Sequence, residues 1–402
     1  MAVGKVWVGI DVGKGFHHAC AVDAAGKIVF SRKVANSQAA IEQLITRTTT
    51  KAAQVVWAVD MTSGAASLLI TLLLATGQPV VSVPGRVVNR MAGAFAGEGK
   101  TDARDARTIA ETARLRGDLT PITSPDAVVA DLQILTARRD DLMADWVRGV
   151  NRVRELLASI FPALERAFDY STRSALVLLT GFQTPAGIRT AGAIGLSAYL
   201  TDHGAWGKSV PSMVDKALAA AQEQTVALPG ESVTAPLIAR LARQLLDLDR
   251  EIKDVSKQLG DRFAEHPGAG PITSLDGFGP VLGAQLLAGT GGDLQTAFRS
   301  SAHLAAYAGL APVPRDSGRV RGNLHRPQRY HRGLRRVFYL AALSAIKRPD
   351  GPSRVFYLRK RGEGKGHTQA LIALARRLVD VVWALLRDGR EFHPSPPVTA
   401  AA

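Results

Sequence analysis

The chain has 402 residues, 46% of them hydrophobic, and carries 50 Lys and Arg against 35 Asp and Glu, a formal net charge of +15. This length exceeds what one core usually supports, so two or three domains are expected, and the hydrophobic content excludes wholesale disorder. The basic excess points to a polyanion, nucleic acid foremost, while a single cysteine, Cys20, excludes a disulfide framework or a multi-cysteine zinc site.

Residues 1–125 alternate strand and helix signals. "KVWVGID", "HHACAVD" and "KIVFSRKV" read as three strands, the last two joined by the tight turn "DAAGK" into an antiparallel meander; Cys20 falls within the second as a core residue. The helix "SQAAIEQLITRT" follows, opened by Ser37 as a cap, then the apolar strand "AQVVWAVD", the helix "GAASLLITLLLAT" and the short strand "QPVVSV". Helical segments are expected from Pro84 and from about Thr101. Three strands, a helix, then alternating strand and helix is the order of a ribonuclease H-like α/β fold, here followed by mostly helical sequence. Neither a signal peptide nor an apolar run near the ~20 residues that span a bilayer is present, so a soluble, cytoplasmic protein without a membrane partner is expected.

Two long helical patterns occupy 126–265. Ile238, Leu241, Leu245, Leu248, Ile252, Val255 and Leu259 recur in alternating steps of three and four, the seam of a coiled coil. A looser seam runs through Leu132, Leu135, Leu142, Trp146, Val150, Val153, Leu157 and Ile160. The two stripes can pair with each other or with another subunit; residues 171–234 form a helical insert between them. A third region, 266–392, opens with "SLDGFGP", where Gly277 and Gly279 precede a helix like half of a helix-hairpin-helix. Such a turn presents backbone N–H groups to a DNA phosphate. From Arg315 to Lys365 there are 15 Lys and Arg against three acids, a net +12, which marks a binding surface rather than a solvated face. Residues 393–402 read as a disordered tail.

Four acids in the first region share a pattern. Asp11 ends the first strand, Asp60 ends the fourth, and Asp102 and Asp105 lie one helical turn apart in "KTDARDA". Strand-end acids at one sheet edge, met by a helix bearing two more, converge on a point. Converging carboxylates repel unless a cation compensates, and hard oxygen ligands select Mg²⁺ or Mn²⁺. The neighbouring "GEGKT" resembles the end of a nucleotide phosphate loop, but the first glycine of that pattern falls on Ala94 and no strand leads into it.

"GIDVGK", "AVDMTSG" and "KTDARDA" resemble the three motifs of the Piv/MooV-type DEDD transposases of insertion sequences, with Asp60 standing where the family usually has Glu. "ITSLDGFGPVLGAQLLAGTGG", "FRSSAHLAAYAGLAPVPRDSGRVRG" and "LRRVFYLAALSAI" resemble that family's C-terminal domain, although "YHRG" replaces its usual "GN" before the last helix. The resemblance implies a RuvC-like N-terminal domain, a catalytic metal on Asp11, Asp60, Asp102 and Asp105, and Ser317 as nucleophile. It further implies donor and target DNA as substrates, a structured bridge RNA as guide, and a homo-oligomer, dimer or tetramer. Arg315, Arg319 and Arg321 flank Ser317 and can clamp an attacked phosphate, and Arg326, Arg332, Arg335 and Arg336 extend the basic surface. The residues alone also allow a metal-dependent junction nuclease in which Ser317 merely shapes a turn, or a nucleic-acid-binding protein without catalysis.

Overall fold

The computed structural model describes residues 3–62, 64–92, 101–123, 126–319 and 321–394; the "GEGK" that opens the acidic motif and the tail from 395 onward lie outside them. The chain divides into two compact units, Met1–Pro125 and Asp126–Ala402.

In the first unit the described residues form a six-stranded mixed sheet in the order β3-β2-β1-β4-β5-β6. Strands β1 (Val3–Asp11), β2 (Phe16–Asp23) and β3 (Ile28–Ala35) make the antiparallel meander read from the sequence. After helix α1 (Gln38–Lys51), β4 (Ala52–Val59) returns parallel to β1, with Ile10 registered against Val59. Ser37 does hold the N-cap position of α1, but its hydroxyl makes no capping bond. Helix α2 (Ser67–Ala75) leads to β5 (Val80–Ser82), parallel to β4. Helices α3 (Gly85–Ala92) and α4 (Asp102–Leu115) follow, then an antiparallel edge strand, β6 (Thr120–Ile122), that the sequence had not suggested.

Side chains alternate faces along each strand. Val6, Val8, Ile10, Trp57 and Val59 pack against α1 and α2, whereas Ala58, Cys20 and Val22 face α4 through Ile109, Ala106 and Ala110. Gly9 belongs to the α4 face: a Cβ there would lie 2.2 Å from the Ala106 carbonyl oxygen and from the Ala110 backbone nitrogen. Only glycine lets the helix backbone come this close to the strand.

The second unit is built on two 34-residue helices, α5 (Ala127–Ile160) and, after the insert, α10 (Glu231–Ala264). The insert comprises α6 (Pro162–Ala167), α7 (Arg173–Gly181), α8 (Pro185–Asp202, kinked at Gly192) and α9 (Val210–Glu223). Helices α5 and α10 pack antiparallel within the chain, so each apolar seam is covered by the other. Leu245 sits against Gly149, Arg139 Nε donates to Ser256 Oγ at 3.0 Å, and Arg262 pairs with Asp131 at 2.8 Å. These half-buried polar contacts join the two helices at fixed positions. One core joins the insert to the C-terminal half of α5 and the N-terminal half of α10.

A second core lies at the other end of the pair. It gathers α11 (Ala269–Thr273), α12 (Pro280–Thr290), α13 (Leu294–Ala297), α14 (Ser301–Tyr307), α15 (Arg332–Ala345), α16 (Pro352–Gly362) and α17 (His367–Asp388). Between α14 and α15 a small antiparallel hairpin projects, β7 (Val313–Pro314) with β8 (Leu324–His325). No helix among the described residues is long and apolar enough to cross a membrane.

Because the Gly9 contact is backbone to backbone, Gly9→Ala must push α4 away from the sheet. Equilibrium urea unfolding should show a loss of about 1–3 kcal/mol, the usual cost of overpacking a tight contact. A variant as stable as the parent would mean that α4 does not seat as described.

Candidate nucleic-acid-processing site

Strand parity puts the acids of the first unit on one face. Asp11 is two residues beyond Gly9 and Asp60 two beyond Ala58, so both project toward the side that α4 covers, at the same ends of neighbouring parallel strands. Helix α4 starts over this edge, with Thr101 as N-cap accepting from the Arg104 amide at 3.3 Å. Asp102 and Asp105 occupy its first turn, where the helix dipole favours negative charge. Asp105 is half-buried and Asp102 exposed.

Asp60 sits in a perturbed electrostatic environment. Burial pushes its carboxyl above the ordinary aspartate range and the charge of Asp105 pushes the same way, while backbone amides at Asp60, Val12 and Met61 pull it back. Its Oδ1 is buried with no hydrogen-bond partner. Asp60 is thus in electrostatic contact with Asp105 and reaches the backbone just past Asp11. Among the described residues, no group of three or more His, Cys, Asp or Glu side chains is arranged to hold a metal ion. Of the four acids, Asp11 and Asp60 share a face and Asp60 interacts with Asp105, while Asp102 is exposed. The donors that are present, carboxylate oxygens with one buried and unpartnered, are of the kind that suits a hard divalent cation. One neighbour was not foreseen: His18 registers opposite Asp11, and its Nε2 hydrogen-bonds Ser31 Oγ at 2.8 Å. Nothing in the "HH" pair marked which histidine would share the face.

Ser317 lies in the second unit, in the loop of the β7–β8 hairpin, and is exposed. The hairpin continues past its registered pairs: the Arg315 amide donates to the Asn323 carbonyl at 2.8 Å, and the Asn323 amide donates to Asp316 Oδ1 at 3.0 Å. Gly318 (φ +47°) and Gly322 (φ +78°) turn the chain in the left-handed region, where a side chain is strained. Arg315, Arg319, Arg321 and Arg332 are exposed, and no ion pair among the described residues engages them.

The other predicted cations are anchored. Arg326 donates to the Tyr330 hydroxyl at 3.1 Å, and Arg335 stacks over the same ring at 5.0 Å while bonding the Gly309 carbonyl at 3.1 Å. Arg336 pairs with Asp140 of α5 at 3.5 Å, lining a 210 Å³ cavity with Gln285, Thr136 and His331. Of the two glycines before α12, Gly277 (φ +99°) is pressed on α15, since a Cβ would lie 2.2 Å from the Ala341 carbonyl oxygen. Gly279 is the N-cap of α12 and has open space beside it.

Comparison with known proteins supplies a family. A profile of the DEDD transposases of IS110 type matches residues 8–162, and one for the transposase IS116/IS110/IS902 family matches residues 263–358. The IS116 insertion element 44.8 kDa protein of Streptomyces clavuligerus is 52% identical over 399 residues, 99% of this chain and 98% of its own length. The IS900 insertion element 42 kDa protein of Mycobacterium paratuberculosis is 48% identical, covering 98% of this chain and 99% of its own. Among solved structures, T. thermophilus RuvC in complex with a Holliday junction substrate covers 29% of this chain and 99% of its own, at 16% identity and a TM-score of 0.24. The chain belongs to the IS116/IS110/IS902 transposase family, a class of DNA-cleaving and rejoining enzymes.

A carboxyl raised by burial and by a like charge opposes folding when ionised. That penalty is absent below the unfolded-state value near pH ~4, grows as pH rises toward the higher folded value, and is fully present above it. Asp60→Asn should therefore melt higher than the parent at pH 7 in EDTA, with the gain vanishing on acidification below about pH 4. Equal or lower melting of the variant at pH 7 would contradict the burial described here.

Proposed function

We propose that this chain is a DNA transposase of an insertion sequence that cleaves and rejoins strands through Ser317, with Mg²⁺ or Mn²⁺ held by Asp11, Asp60, Asp102 and Asp105. The observation that carries the metal reading is the buried, unpartnered oxygen of Asp60 beside Asp105, on the sheet face it shares with Asp11. When bound, such an ion polarises a phosphodiester and offsets charge on the oxygens that attack and leave. The strand order, an antiparallel meander continued by parallel strands, supports a ribonuclease H-like, RuvC-like reading of the first unit. The heptad seams buried between α5 and α10 support reading that pair as a coiled coil within one chain.

The serine chemistry balances without an external energy source. As the Ser317 Oγ–phosphorus bond forms, the bond from phosphorus to the leaving deoxyribose oxygen breaks; the serine gives up its proton and the departing oxygen gains one. A hydroxyl of another strand then attacks the phosphoserine, restoring the serine and a phosphodiester. The exposed Arg315, Arg319 and Arg321, in no ion pair among the described residues, suit a clamp on that phosphate. The family resemblance supports a structured bridge RNA that pairs with donor and target, leaving the protein to hold backbone and shape, and a dimer or tetramer as the active assembly.

Incubating protein, RNA and cognate DNA with Mg²⁺ should give DNA covalently attached to protein. Ser317→Ala should remove the adduct and lower cleavage by about 10³-fold or more. Cleavage that persists in Ser317→Ala without an adduct identifies a metal-dependent nuclease instead, and turnover in EDTA removes the metal. Arg319→Ala and Arg321→Ala should weaken DNA binding across all sequences, each lowering the slope of log affinity against log salt by about 1. An unchanged slope would exclude them from the phosphate contact.

A further inference from the structure

The two acid-bearing strands leave the sheet through separate loops, and one side chain holds both. Asn36, the residue after β3, donates its backbone N–H to the Gly15 carbonyl at 2.9 Å. Its side-chain Nδ2 donates to the Lys14 carbonyl at 3.1 Å and to the Ala65 carbonyl at 3.2 Å. Lys14 lies three residues past Asp11 and Ala65 five past Asp60. The first loop is itself tight, since a Cβ on Gly13 would meet the Phe16 carbonyl oxygen at 2.2 Å.

The amide's orientation follows from these bonds. With both donor hydrogens on carbonyls, Oδ1 points inward, where it is buried without a strict hydrogen-bond partner. Beside it is the imidazole of His17, 2% exposed, both of whose ring nitrogens also lack one. Burial disfavours the charged form of His17 and the Asn36 side chain favours it. The Asn36 amide supplies donors to two loop carbonyls that an apolar side chain would leave without them, and so ties the two loops together.

We propose that Asn36 is a positioning residue for the candidate metal site: by bridging the loop after Asp11 to the loop after Asp60, it sets the separation of the two carboxylates. Groups that orient ligands are commonly worth 10–100-fold in metal affinity. The inference rests on the metal reading above, so its test measures binding directly. Mn²⁺ binding by the full-length protein without nucleic acid, followed by electron paramagnetic resonance, is compared in the parent, Asn36→Ser and Asn36→Ala, with thermal melting in EDTA recorded for each.

Serine keeps one donor and alanine none, so affinity should fall in the order Asn, Ser, Ala, with the alanine variant weaker by about 10-fold or more. The loss should exceed anything explained by melting: both variants remain folded at the assay temperature. If alanine disrupts folding, the serine variant carries the comparison. Asn36→Ser and Asn36→Ala binding Mn²⁺ as tightly as the parent would overturn the positioning role while leaving the metal site standing. A parent that takes up no Mn²⁺ overturns the metal reading and this inference with it.

Discussion

The acidic edge of the first unit depends on the contact between the α4 backbone and β1 at Gly9. It fixes the helix on one face of the sheet at a distance that any side chain would prevent. Because strand residues alternate, it also decides which acids the helix can meet: Asp11 and Asp60 share the face of Gly9 and Ala58, and the start of α4 brings Asp105 to Asp60. Displacing the helix would leave the strand-end acids in place but separate them from Asp105. The Asp60 carboxyl is held in an environment that disfavours its ionised form, so this edge carries an energetic cost that folding must offset elsewhere.

In the second unit the cations of the basic stretch are not equivalent. Arg326 and Arg335 hold Tyr330, whose ring sits against Gly309 (φ +69°), and so anchor the chain between the hairpin and α15. Arg336 is committed to Asp140. The arginines around Ser317 form no ion pair among the described residues, and they are exposed on a turn shaped by Gly318, Gly322 and Asp316. Arginines near the hairpin base thus hold structure, while those at its tip are in no ion pair among the described residues.

Much of this was legible because it is periodic. Short apolar runs bounded by turns marked β1 to β4, steps of three and four marked the seams of α5 and α10, and Asp102 and Asp105 announced one helix face by spacing alone. What lacked a period was not visible. The edge strand β6 has three residues and one of them, Pro121, is a poor strand former. The pairing of α5 with α10 inside one chain depends on the fold of the insert, which returns the chain antiparallel. The Asn36 bonds join positions 22 and 29 residues apart through backbone carbonyls, which exist at every residue and leave no mark on a sequence. For Gly277, the glycine pair suggested an open phosphate-binding turn, whereas the same small residue serves close packing against α15.

The helix pair has a consequence for how the second unit comes apart. Each helix extends roughly 50 Å, and the cores at its two ends share no buried residue. Between them the pair is joined by the seam residues Leu142 and Val255, which are buried but belong to neither core, and by surface contacts such as Arg138 with Glu251. Such an arrangement favours partial opening in separate cooperative blocks: the insert can lose its packing while the lobe carrying the hairpin keeps its own. Amide protection against solvent deuterium would then fall into two classes along α5, changing near its middle rather than fading evenly from the ends.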